Sequence, residues 1–307
     1  LHNTVRVTSR QAPTVTASES TSVLGQALPT ATATITETAT PTDTATPTPT
    51  CTPIEIECQH DILGDFSQFI SSGQFANCRG LSGPASFANS IWYLDQTYCD
   101  GLWVSSNPPT QTEVEELIND IALFMGTDCN LGTTDAGFVD GKRSWFAQHN
   151  ARCAALGIGW EVKHYPDPLD GPVNPEELLA FLLSEFCEGE DVEIGFRYPQ
   201  ELIHDADDRV VDGVPTGHWV TVQRILVYDA NCDGDYCDAD AGDYIEISFN
   251  DPAAPAGTNP GTVYLRCAPC GLVVIDAVNS IIPIGACIDI AVAESPIQIP
   301  TPTVTPT

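Results

Sequence analysis

The chain has 307 residues, with 11 Lys+Arg against 42 Asp+Glu and a formal net charge of −31. A balance that acidic excludes unaided binding to nucleic acid or to an anionic membrane surface, since both need cationic patches. No run of 18 apolar residues occurs, so no segment reads as a membrane span.

In chain order, residues 3–9 alternate polar and β-branched side chains and predict a short strand. Residues 10–53 form a tether too poor in large apolar residues to build a core. Thr occupies every even position over a long stretch: Thr30, Thr32, Thr34, Thr36, Thr38, Thr40, Thr42, Thr44, Thr46, Thr48, Thr50 and Thr52. Thr301, Thr303, Thr305 and Thr307 repeat the device at the other end. Period two matches an extended chain whose alternate side chains share a face. Pro41, Pro47, Pro49 and Pro53 exclude a central strand. The segment reads either as a plain Thr/Pro linker or as a rod carrying O-linked sugars on one threonine face. The first residue is Leu with no leader before it, which reads as a processed, mature chain.

Residues 54–295 are predicted to be one globular domain, between an N-terminal tail of residues 1–53 and a C-terminal tail of 296–307. Helices are expected near 84–96, 111–126, 141–156 and 174–187, the last opened by Asn174-Pro175. Strands are expected at 159–164, 191–197, 218–228, 243–249, 262–267, 271–277 and 280–293. Helices first and strands after predict an α+β fold. The 12 cysteines are even in number and spread along the chain after the first tail, which predicts a disulfide framework made in an oxidising, extracellular compartment. Cys267-Ala-Pro-Cys270 is the only CxxC, with no second ligand pair at zinc spacing.

Between the strands at 218–228 and 243–249 lies an acidic loop. Asp229, Asn231 and Asp233 fall at positions 1, 3 and 5 of a calcium loop, with Gly234 at the sharp turn. Asp235 and Asp240 complete the expected ligand set for Ca²⁺, and a Cys232–Cys237 bridge is expected to close the loop.

Three segments carry a resemblance. Ser82-Gly-Pro-Ala-Ser-Phe-Ala-Asn-Ser-Ile-Trp-Tyr-Leu94, Gly217-His-Trp-Val-Thr-Val222 and Tyr244-Ile-Glu-Ile-Ser-Phe-Asn-Asp-Pro252 resemble, in order, the nucleophile helix, the histidine strand and the Asn/Asp strand of papain-like cysteine peptidases of the bacteriocin-leader-processing kind. The resemblance implies a papain-like α+β fold, His218 as the base, and Asn250 or Asp251 as the residue that orients it. It implies Gln74 as an oxyanion donor, although Gln74 lies eight residues before the helix start, where the family has about six. Ser82 stands where the family has cysteine, and a serine hydroxyl forms no stable thiolate-like anion with histidine.

Two function classes follow. In one, a catalytically inactive domain is the subunit of an extracellular glycoprotein that polymerises with copies of itself through residues 3–9. In the other, a secreted peptidase or acyl hydrolase uses Ser82, or Cys78, with His218.

Overall fold

The computed structural model describes residues 4–9, 53–61, 64–103, 105–166, 173–199, 217–237, 242–254 and 260–300. The order is strand β1 (Thr4–Ser9), β2 (Ile54–Gln59), helix α1 (Ser82–Thr97), α2 (Gln111–Phe124), α3 (Asp135–His149), the short α4 (Ala151–Ala155), β3 (Ile158–Tyr165) and α5 (Pro175–Cys187). Then come β4 (Asp191–Arg197), β5 (Gly217–Asp229), β6 (Tyr244–Asn250), β7 (Gly261–Ala268), β8 (Gly271–Val278) and β9 (Cys287–Gln298). Most helix precedes most strand and all pairing is antiparallel, an α+β fold.

Cap chemistry sets the helix starts. Thr110 and Glu113 form a reciprocal capping box on α2, and Asn174 caps α5 ahead of Pro175. The helix expected at 141–156 is corrected to two. Thr134 accepts the Gly137 amide and starts α3 at Asp135, and the chain breaks at Asn150 before α4.

The sheet closes on itself: β5 pairs with β4, β4 with β9, β9 with β8, β8 with β7, β7 with β6, and β6 again with β5. Long β5 also carries β2 on its second half, and β9 carries β3. Alternation along β4 divides two cores. Val192, Ile194 and Phe196 enter the core inside the ring with Leu178, Leu182 and Phe186 of α5. Trp219, Ile290 and Val292, on the other face, pack with Phe87, Ile91 and Leu94 of α1, Ile118 of α2 and Phe138 of α3. At Gly195 an added Cβ would lie 2.7 Å from Ile290 and 3.3 Å from the Trp219 indole, so glycine lets that ring lie flat on the sheet.

Two boundaries differ from expectation. The last strand is β9, not 280–293, because Pro283 sits in a turn; β9 instead runs on past residue 295 to pair with β3. Pro296 fits there because only β3 pairs with it, so one edge needs no amide. The short strand β2 was not foreseen. It receives β1 of the same chain, Val5 opposite Cys58 and Val7 opposite Ile56, so the partner of the N-terminal strand here is its own domain rather than a neighbour. The threonines expected to carry sugars lie outside the described residues.

Five disulfides join Cys58–Cys187, Cys78–Cys129, Cys99–Cys153, Cys237–Cys267 and Cys270–Cys287; Cys232 is also disulfide-bonded, and no described cysteine is free. The Cys232–Cys237 closure is therefore corrected, and the two cysteines of the CxxC go to different partners. Among the described residues no helix is long and apolar enough to cross a membrane. Disulfides in this number fit an extracellular protein.

Candidate functional site

Ser82 is the first residue of α1, and Pro84 in the first turn suits a helix start. The helix start is buried, with Ser82 9% exposed. Ser82 Oγ accepts the backbone N–H of Trp219 at 3.3 Å, which places the hydroxyl against the residue that follows His218 on β5. His218 is buried, and its Nε2 lies 2.7 Å from Asp251 Oδ1. Burial works to raise the Asp251 carboxyl, but the hydrogen bond and charge of His218, with the Ala253 and Ile281 amides, hold it below the usual range. With Nε2 engaged, Nδ1 is the ring atom left to face a substrate or a nucleophile.

The resemblance offered two orienting residues, and the structure separates them. Asp251 holds the histidine, whereas Asn250 donates its Nδ2 to the Gly64 carbonyl at 2.6 Å and pins the segment ahead of α1. Gln74 is exposed on the turn before Cys78. The buried glutamine of this region is Gln68, whose side chain donates to the Arg79 carbonyl at 3.4 Å while its amide donates to the Pro252 carbonyl at 2.8 Å. Gln68 thus bridges the approach to α1 and the turn after Asp251, and its side-chain oxygen has no partner. It was missed because it lies 14 residues before Ser82, outside any motif spacing. Cys78 is bonded to Cys129, so its use as a nucleophile is corrected: a disulfide sulfur is no thiolate.

Apolar rings wall the site. Phe138 stacks on Trp219 with centroids 3.8 Å apart, and Trp219 Nε1 donates to the Thr133 carbonyl at 3.3 Å. At Gly83 an added Cβ would meet Thr133 at 2.9 Å, so the segment before α3 lies directly on the first turn of α1.

The acidic loop folds on its own amides. Asp229, fully buried, accepts the Cys232 and Gly234 amides; Asn231 accepts that of Asp233, Asp233 that of Asp235, and Asp235 that of Cys237. Gly234 has φ +81°, the turn its position required. Asp243, at the loop's end, holds the Ala230 amide at 2.6 Å and keeps one buried oxygen without a partner. Asp240 lies outside the described residues. Among the described residues the loop does not bring three carboxylates within ligand distance of one another. The loop's oxygen donors, with the Asp243 oxygen that lacks a partner, are of the hard kind that Ca²⁺ takes, but the side chains of Asp229, Asn231, Asp233 and Asp235 are turned to loop amides.

The cluster that does gather is elsewhere: Asp191 and Glu193 on β4, Glu294 on β9 and Lys142 on α3, all fully buried. No family model matches the sequence, and no curated protein matches it.

Proposed function

We infer that the chain is an extracellular structural subunit built on a papain-like scaffold whose catalytic site is silent. The observation that carries this reading is Ser82 itself. It occupies the nucleophile position, its hydroxyl is buried and occupied by the Trp219 amide, and no thiol is within reach, since Cys78 is locked in a disulfide. His218 and Asp251 then serve as a buried hydrogen-bonded pair that ties β5 to the turn after β6.

Assembly fits the same reading. The edge of β2 accepts an added strand, and β1 is joined to it by a tether of residues 10–53 that reaches at most about 145 Å at ~3.3 Å per residue. The pairing made within one chain can be made by β1 of a neighbour with identical contacts, and a swap that does not close propagates a filament. The alternating threonines would then coat the polymer with O-linked sugars, and Ca²⁺ would stiffen the 229–243 loop.

A second reading is favoured by one observation: the 2.7 Å His218–Asp251 pair is what a working base requires. It makes the chain a secreted peptidase or acyl hydrolase with Ser82 as nucleophile. Ser82→Cys separates the two. On a silent but intact scaffold it gains reactivity toward a thiol-directed probe, while the unmodified chain hydrolyses neither peptide nor ester. Hydrolysis by the unmodified chain that Ser82→Ala abolishes contradicts the structural reading. For assembly, deletion of residues 1–10 is expected to abolish polymers and leave the domain folded; a full chain that stays monomeric at high concentration contradicts it. Intact mass above 32.8 kDa reports the sugars.

A further inference from the structure

The buried acidic cluster sets three carboxyl groups against a single ammonium. Asp191 lies opposite Glu294 in the β4–β9 ladder, and Glu193 is two residues along on the same face. One carboxylate oxygen from each of the three lies within 4.8 Å of one from each of the others. The only cation among them is Lys142, which reaches down from α3. Its ammonium bonds Glu193 Oε2 and Glu294 Oε1 and sits 4.5 Å above the Phe87 ring and 4.9 Å above that of Phe138. Ser90 on α1 donates to Glu193 Oε1.

Taken oxygen by oxygen, the account does not close. Glu193 has both its oxygens engaged, and Glu294 has one. Both oxygens of Asp191 and Oε2 of Glu294 are buried and meet no donor. Three carboxyl groups share one ammonium, so neutralising the cluster takes protons or a second cation. Each uncompensated buried ion costs several kcal/mol, far more than one domain spends on an ornament. The free oxygens converge from two adjacent strands, and the donor set holds no imidazole and no thiolate. Oxygen-only sites of this kind select hard divalent ions over zinc or copper.

We propose that Asp191, Glu193 and Glu294 bind one hard divalent cation of the calcium, magnesium or manganese class, locked between the sheet and α1–α3, with Lys142 holding the outer oxygens of two ligands. One such ion cancels the residual charge and gives the three orphan oxygens a partner. The site has no exposed member, so the ion enters as the chain folds and stays afterwards. That separates it from calcium at the 229–243 loop, whose Asp233 and Asp235 are exposed and give up an ion to a chelator.

The test refolds the full chain, disulfides intact, with Mn²⁺ or with Ca²⁺, strips it on a chelating resin, and measures retained metal by elemental mass spectrometry. One ion per chain is expected to survive stripping, in Asp233→Asn as in the native sequence, and none in Asp191→Asn. A folded, stripped native chain that holds no metal overturns the proposal and means that protons neutralise the cluster instead. Should Asp191→Asn not fold, Mn²⁺ anomalous scattering in crystals of the native chain decides the matter: a peak beside Asp191 supports the site, and a peak elsewhere or none overturns it.

Discussion

The start and the middle of α1 handle buried polarity in opposite ways. Ser82, Ser86 and Ser90, four residues apart, line one stripe of the helix against β4 and β5. At the start the polar side chains are paired one to one: Ser82 takes the Trp219 amide, the Ser86 carbonyl takes the Thr221 hydroxyl at 2.9 Å, and His218 is matched by Asp251. At mid-helix Ser90 meets Glu193, one of three buried carboxyl groups gathered around one lysine. The first place has the shape of chemistry with little energy at stake. The second carries no recognised motif, yet it buries four ionisable side chains.

The sharpest way to break that contrast is Lys142→Met, which leaves the carboxylates without their ammonium. Removing one partner of a buried ion pair costs about 3–5 kcal/mol, read as a fall in the urea midpoint. A loss below 1 kcal/mol would show the cluster to be slack.

Acid titration reads two further buried groups that belong to neither site. His60, stacked between Tyr93 of α1 and Phe186, is held down to about 4 by burial, from an ordinary 6.5. The folded chain therefore prefers the neutral ring: this contribution is intact above about 6.5 and is lost as pH falls through about 4, by roughly 3 kcal/mol. His60→Gln is expected to flatten stability across that window. Ser82→Ala, at the quiet end, should cost about 1 kcal/mol through the Trp219 amide left without its acceptor. The smallest effect belongs to Glu115. Hydrogen bonds from Ser72, Gln111 and Ser71 outweigh burial and hold its carboxyl down to about 2 from an ordinary 4.5. Its stabilisation is present above about 4.5 and lost as pH falls through about 2, by about 1 kcal/mol after screening. Glu115→Gln should remove that lower step and leave the His60 step in place.

Much of the fold was legible because local chemistry and tertiary structure agree. Thr110 with Glu113, Asn174 with Pro175, and the β-branched alternation of 218–228 say the same thing at both levels. His218 and Asp251 were found because they sit in recognisable strings. The start of α3 was not, since Gly137 and Gly141 weaken its helical signal. Nor was β2, six residues whose partners are β5, far along the chain, and β1, across the N-terminal tether. The acidic cluster was hidden for a different reason. Asp191-Val-Glu193-Ile194 alternates as a strand with one wet face would, and only the arrival of α1 and α3 on that face buries the charges. Lys142 is one of two lysines in the chain, which was the single sequence hint that it has a dedicated task.

The claim that the Ser82 site is silent is open to one direct measurement: labelling of the full chain with a serine-directed fluorophosphonate, read by intact mass and peptide mapping. The account predicts no adduct at Ser82, because the residue is buried and its hydroxyl is committed to the Trp219 amide. A stoichiometric adduct at Ser82, abolished by His218→Ala in a chain that remains folded, would contradict it and make the molecule a serine hydrolase.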